Sequence, residues 1–117
     1  MLRPATDRDW LDIVGMQAPD FHIGYVAEVA GVPTALGCLI HGDNGRWWLT
    51  MKRRGEMSRF TLWRATQRVL SVARDAKVTV HAIADARVAG SERFLERLGF
   101  VASGEFYDQH KVFQWTP

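Results

Sequence analysis

A short helix with a built-in stop constrains this chain more than any other stretch. Residues 90–100 read Gly-Ser-Glu-Arg-Phe-Leu-Glu-Arg-Leu-Gly-Phe. Phe94, Leu95 and Leu98 fall on one face at helical spacing, and Glu92, Arg93, Glu96 and Arg97 take the wet side. Gly99 stands where a helix needs a left-handed residue to close, and Phe100 follows to pack back on the last turn. Residues 101–107 then read as a strand. A helix that stops on Leu-Gly-Phe and runs straight into a strand is a recurrent unit of α/β proteins.

The rest of the chain supplies the other elements in order. Residues 2–5 read as a short strand, and Thr6 can cap a helix whose third residue is Asp9. Trp10, Ile13 and Val14 give that helix its apolar face. Strands are expected over 22–30, 34–41 and 46–52, joined by turns at Gly31-Val32-Pro33 and 42–45, hence an antiparallel meander. The longest helix is expected over 59–76, with Ser58 as its N-cap and Leu62, Ala65, Val69, Val72, Ala73 and Ala76 as its stripe. A strand over 78–85, a loop over 86–90, the helix through Phe94 and a closing hairpin of 101–107 with 111–115 complete a β-α-β-β-β-α-β-α-β-β order.

A chain of 117 residues, 47% hydrophobic, is expected to form one domain (1–117) around one core. No apolar run approaches the ~18 residues of a membrane span, and no apolar stretch follows Met1-Leu2-Arg3-Pro4 to make a signal peptide. The single cysteine, Cys38, excludes an internal disulfide and a multi-cysteine metal site, and its apolar surroundings mark it as a buried structural thiol. Four scattered histidines offer no zinc-ligand spacing. The default location is the cytoplasm.

Charge is uneven. From Arg46 to Lys77 there are nine Lys/Arg against two acids, a segment of +7 within a chain of net +2. Such a region suits a phosphate-bearing partner, and it also suits solvated helix faces.

The element order, the opening Leu2-Arg3-Pro4-Ala5-Thr6, the passage Ala27-Glu28-Val29-Ala30-Gly31-Val32-Pro33 and the helix end Leu98-Gly99-Phe100 together resemble the GNAT N-acetyltransferase family over nearly the whole chain. The resemblance implies the acyl-CoA N-acyltransferase fold, a mixed, mostly antiparallel α/β (α+β) sheet with helices on both faces. It implies acetyl-CoA as acyl donor, lying between the strands 46–52 and 78–85, and a small-molecule or protein amine as acceptor. It places a donor site on Leu49, Thr50 and Met51 of the strand, on the loop Arg53, Arg54, Gly55, Glu56, Met57, Ser58 and Arg59, and on Phe94 of the last helix. In the family, backbone N–H groups of that loop and the helix behind it hold the pyrophosphate.

Three departures from the family pattern stand out. Met57 occupies the place of the loop's second small residue, beside Gly55, which matches. Aligning on Gly99-Phe100 puts Leu95 where the family has the tyrosine that protonates the leaving thiolate, and Val88 where it has an asparagine. The second helix of the family, which helps build the acceptor pocket, is missing.

Transfer to an amine needs a base to take the ammonium proton. The candidates are Glu28, His41, His81 and Asp85, with Glu28 and His81 placed first. The leading expectation is therefore an acetyl-CoA-dependent N-acetyltransferase. The alternative is a non-catalytic protein of the same fold, resembling the compact acetyltransferase-like proteins of phages and prophages, in which case the virion is its location. A nucleic-acid module using the basic segment with Trp47, Trp48 and Trp63 ranks below both. Trp47 and Trp48 must face opposite sides of their strand. Whether the chain forms a homodimer stays open.

Overall fold

The computed structural model of the protein describes all residues except 43, 54–58, 86 and 87, with Arg59 described for its main chain only. The elements are β1 (Leu2–Pro4), α1 (Asp7–Asp9) widening into a π-helical turn (Trp10–Val14), β2 (His22–Val29), β3 (Val32–His41), β4 (Trp47–Arg53), α2 (Arg59–Asp75), β5 (Val80–Ile83), α3 (Ser91–Arg97), β6 (Val101–Tyr107) and β7 (His110–Trp115). They build one seven-stranded sheet in the order β1-β2-β3-β4-β5-β7-β6. All neighbouring pairs are antiparallel except β4–β5, which is parallel.

The capping box at Thr6 forms as the sequence implies. The Thr6 hydroxyl accepts from the Asp9 N–H, and the Asp9 carboxylate accepts from the Thr6 N–H at 2.8 Å. The turn that follows is wider than the expected α-helix, with the Gly15 N–H donating to the Trp10 carbonyl at 3.0 Å. It seats Trp10 and Ile13 against Val26, Leu36 and Cys38 of the sheet. Residues 15–21 then lead to β2 with no second helix.

On the opposite face α2 and α3 cover a larger core, with Val69, Leu70, Ala73, Leu95 and Leu98 over Leu39, Leu49, Val80, Ala82, Phe113 and Trp115. The buried stripe of α2 runs through Thr66 and Leu70, and Ala76 falls outside it. The close approach of α2 to β3 depends on Gly37, where a Cβ would lie 3.0 Å from the Thr66 Cα. The strand expected from 78 starts at Val80, because the Val78 N–H closes α2 on the Ala73 carbonyl at 3.0 Å instead of joining the sheet.

Helix α3 ends as its sequence demands. Gly99 has φ +101, its N–H donates to the Glu96 carbonyl, and the Phe100 N–H donates to the Leu95 carbonyl, both at 3.0 Å. That pair of bonds is the Schellman closure, and it delivers Phe100 into the core.

Candidate functional site

Strands β4 and β5 pair only at Trp47↔Val80 and Trp48↔His81, then part. Beyond Trp48 the β4 edge that faces β5 has no strand partner among the described residues, and at Leu49, Thr50 and Met51 it opens to an extended ligand. Side-chain alternation sends Trp47, Leu49 and Met51 toward α2 and Trp48 and Thr50 to the other face. The two adjacent tryptophans therefore separate as expected. Trp47 packs with Phe21 and His41, and Trp48 with His81 and Tyr107.

One cavity opens at this gap and another lies between the helices. On the helix side about 410 Å³ opens between α2 and α3, lined by Phe60, Trp63, Gly90, Arg93, Phe94 and Arg97. The Phe60 and Trp63 rings are stacked, 15° apart in plane with centroids 6.2 Å apart. Parallel rings beside two guanidinium groups suit a flat heterocycle carrying phosphate. On the opposite face about 700 Å³ extends from the gap at Leu49, Thr50 and Met51 past Trp48 and Ile83 to Glu105 and Tyr107. The missing second helix leaves this face of β4, β5, β7 and β6 open.

His81 sits behind the wall of the second cavity. It is 8% exposed, its ring centroid is 5.4 Å from that of Trp48, and its buried Nδ1 has no hydrogen-bond partner. Burial, and after it the nearby Arg46, hold its pKa below the ordinary 6.5, so the imidazole is neutral at neutral pH and free to take a proton. Arg46 and Glu105 join across the intervening strands β5 and β7 in an ion pair of 2.9 Å, and the Arg46 guanidinium keeps the Glu105 carboxyl below its usual range.

The structure does not bring Glu28 and His81 together. Glu28 lies on β2, two strands from β4, where its carboxylate accepts from the Arg3 guanidinium. Arg3 also grips Asp9 at 2.7 and 2.8 Å. That network ties β1 to β2 and to the start of α1.

His41 is at the end of β3 against Trp47. Of the proposed donor-binding residues, Phe94 lines the helix-side cavity, and Leu49, Thr50 and Met51 line the gap. Arg53 ends β4 and is exposed, while Arg59 begins α2. Arg54, Gly55, Glu56, Met57 and Ser58 lie outside the described residues. Leu95 is 1% exposed and belongs to the core, so α3 presents an aliphatic side chain at that position.

Cys38 is as buried as its sequence context implies. Its Sγ is 3.8 Å from His22 Nδ1, and His22 Nε2 is 2.9 Å from an Asp7 carboxylate oxygen. The row mimics a catalytic Cys-His-Asp arrangement, but burial pushes the thiol up to about 12 and leaves it a thiol. Among the described residues of the basic segment, Arg68 stacks over Tyr25 and Arg74 over Trp115, on the helix side of the sheet.

Sequence reasoning missed Arg46, Glu105, Arg93 and Arg97. One signal was available for Glu105. Gly104 sits inside a strand pattern, a mark of a bulge, and the β6–β7 register does shift between Ala102 and Phe106.

The sequence matches no family model and no curated protein. Solved structures do match. An N-acetyltransferase from Staphylococcus aureus superposes with a TM-score of 0.78 at 12% identity, over 99% of this chain and 97% of that one. An acetyltransferase from Agrobacterium tumefaciens gives 0.69 at 14%, over 99% and 90%. The GNAT domain of S. lividans PAT gives 0.71 at 12%, over 99% and 89%. Likeness at such identities establishes shared architecture, and with the parted parallel strands it leads to one conclusion: this chain has the GNAT acyl-CoA N-acyltransferase fold.

Proposed function

We propose that residues 1–117 form one domain that transfers an acetyl group from acetyl-CoA to an amine. The observation that carries this reading is the gap between β4 and β5, entered by the 700 Å³ cavity at Leu49, Thr50 and Met51. A gap that takes an extended donor beside an open acceptor cavity can hold two reactants together, which is what a direct bimolecular transfer requires. The helix-side cavity offers rings and guanidinium groups to the nucleotide end of the donor. The open edge of β4 offers hydrogen bonds to the pantetheine amides. The basic loop 52–59 would hold the pyrophosphate.

Acetyl-CoA supplies an activated acyl carbon as a thioester. The residues of this chain hold the acceptor nitrogen at that carbon and remove its proton. His81 takes one proton from the ammonium, the amine nitrogen bonds the acyl carbon as the carbon–sulfur bond breaks, the second nitrogen proton passes to solvent, and the thiolate takes a proton from solvent, since α3 presents Leu95 in place of a donor. The S. aureus, A. tumefaciens and S. lividans neighbours are described as acetyltransferases or as a GNAT domain, which supports the reading.

Leu95 also favours a second reading, in which the same fold binds acyl-CoA without turnover. Titration of acetyl-CoA by calorimetry, followed by thiol release with an amine panel, separates the two. Saturable binding with thiol release supports the enzyme, binding without release supports the second reading, and no binding overturns both.

A further inference from the structure

We infer that the acceptor is a zwitterion, an amino acid with an aromatic or large apolar side chain, held by the Arg46–Glu105 pair. This inference rests on the acyltransferase reading and adds the substrate class. The pair lies in the wall of the 700 Å³ cavity, and both partners reach solvent, with side chains 35% and 49% exposed.

Neither partner is placed by chance. The Arg46 N–H donates to the Asn44 side chain at 3.1 Å, and its carbonyl accepts from the Gly42 N–H at 2.7 Å, so the turn before β4 fixes it. The bulge in β6 fixes Glu105. Its N–H donates to the Ser103 hydroxyl at 3.2 Å, and that hydroxyl donates to the Val112 carbonyl at 3.1 Å. Bulges of this kind re-aim a side chain beside a functional site.

The charge balance selects the ligand. A plain amine on Glu105 shares the carboxylate with Arg46 and brings no group for the free guanidinium N–H donors. A plain carboxylate on Arg46 likewise brings nothing for the free Glu105 oxygen. A zwitterion exchanges one ion pair for two, carboxylate to Arg46 and ammonium to Glu105, and strands neither. Beside the pair, Trp48 and Tyr107 stand with centroids 6.5 Å apart, tilted at 55°, with Tyr107 62% exposed. Exposed rings at an open cavity fit an aromatic or apolar side chain. His81 lies behind Trp48 and feels the Glu105 carboxylate.

The test is calorimetric titration with no acyl donor present, using each apolar or aromatic amino acid, its decarboxylated amine and its deaminated acid (phenylalanine, phenethylamine and 3-phenylpropionate, for example). At least one amino acid should bind about tenfold or more tighter than both of its analogues, the effect of one charge-assisted bond. Arg46→Gln should bring it down to the level of its amine, and Glu105→Gln to the level of its acid, with unchanged unfolding midpoints. An amine that binds as tightly as its amino acid, or an Arg46→Gln protein with unchanged preference, overturns the inference. Because these readouts need no acetyl-CoA, their failure leaves the acyltransferase reading intact. Acetyl transfer to plain amines alone would sink the zwitterion and keep the enzyme.

Discussion

The two halves of the sheet are finished differently. Strands β1 to β3 are covered on one face by the capped first helix and its widened turn, and on the other by α2. Their polar groups are spent on each other, Arg3 on Asp9 and Glu28, His22 on Asp7. Strands β4, β5 and β7 are covered by α2 and α3 on one face, and the other face holds the 700 Å³ cavity. There the strands part, a buried imidazole nitrogen goes unbonded, and an ion pair stays wet. Trp10 Nε1 in the first half is also buried without a hydrogen-bond partner, so what sets the open half apart is the parted strands and the solvent-exposed ion pair. Cys38, a residue of catalytic type, is kept a thiol in the first half by its burial.

The sharpest test of this contrast truncates the covered core. Trp10→Ala should cost about 3–5 kcal/mol of stability, because Trp10 is 2% exposed in a small cluster that cannot collapse around the void. Urea unfolding measures it, and a loss under about 1 kcal/mol would show that this half is not what holds the sheet.

In the open half the large effect should fall on rate. His81→Gln should lower kcat/KM for amine acetylation by about 10²–10⁴-fold, the usual worth of a general base. For the unaltered protein, kcat/KM should stay level above pH 6.5 and fall only below it, since His81 is held below its ordinary 6.5. Linkage has the same sign. The unfolded chain takes the proton first as pH drops below 6.5, so His81 costs the folded state stability there and nothing above it. A rate that already falls between pH 8 and 7 would remove His81 as the base.

Asp9→Asn should destabilise by about 1–3 kcal/mol at pH 7, because a buried carboxylate loses its charge-assisted bonds to Arg3. Asp9 is held below the ordinary 3.8, first by Arg3. Its contribution is therefore complete above pH 3.8 and lost as pH falls through the lower folded value. The gap between Asp9→Asn and the unaltered protein should close in acid, and a gap constant from pH 7 to pH 2 would contradict the pairing. The smallest stability effect belongs to Trp48→Ala, about 1 kcal/mol or less, since its ring faces an open cavity. The same change should abolish acceptor binding by calorimetry, and an acceptor isotherm unchanged by it would separate Trp48 from the site.

Local chemistry was legible in advance. Thr6 and Asp9 specify their capping box through a spacing of three residues, and Gly99-Phe100 specify the end of α3 through a spacing of five. The hairpin at Asp108 and Gln109, both at positive φ, was readable for the same reason. The strand position of Glu28 was readable, and its partner Arg3, 25 residues away, was not. Leu95 was placed by alignment, and only packing shows it closed inside the core.

By itself, then, the sequence determined which segments become helices and strands and how α3 stops. Those properties follow from hydrogen bonds and side-chain periods that span a turn or a strand. Tertiary structure alone decided that β4 and β5 part after two residue pairs, and that a bulge at Gly104 carries Glu105 to Arg46 across 59 positions of chain. Both depend on how seven strands share one twisted surface, and no local window contains that information.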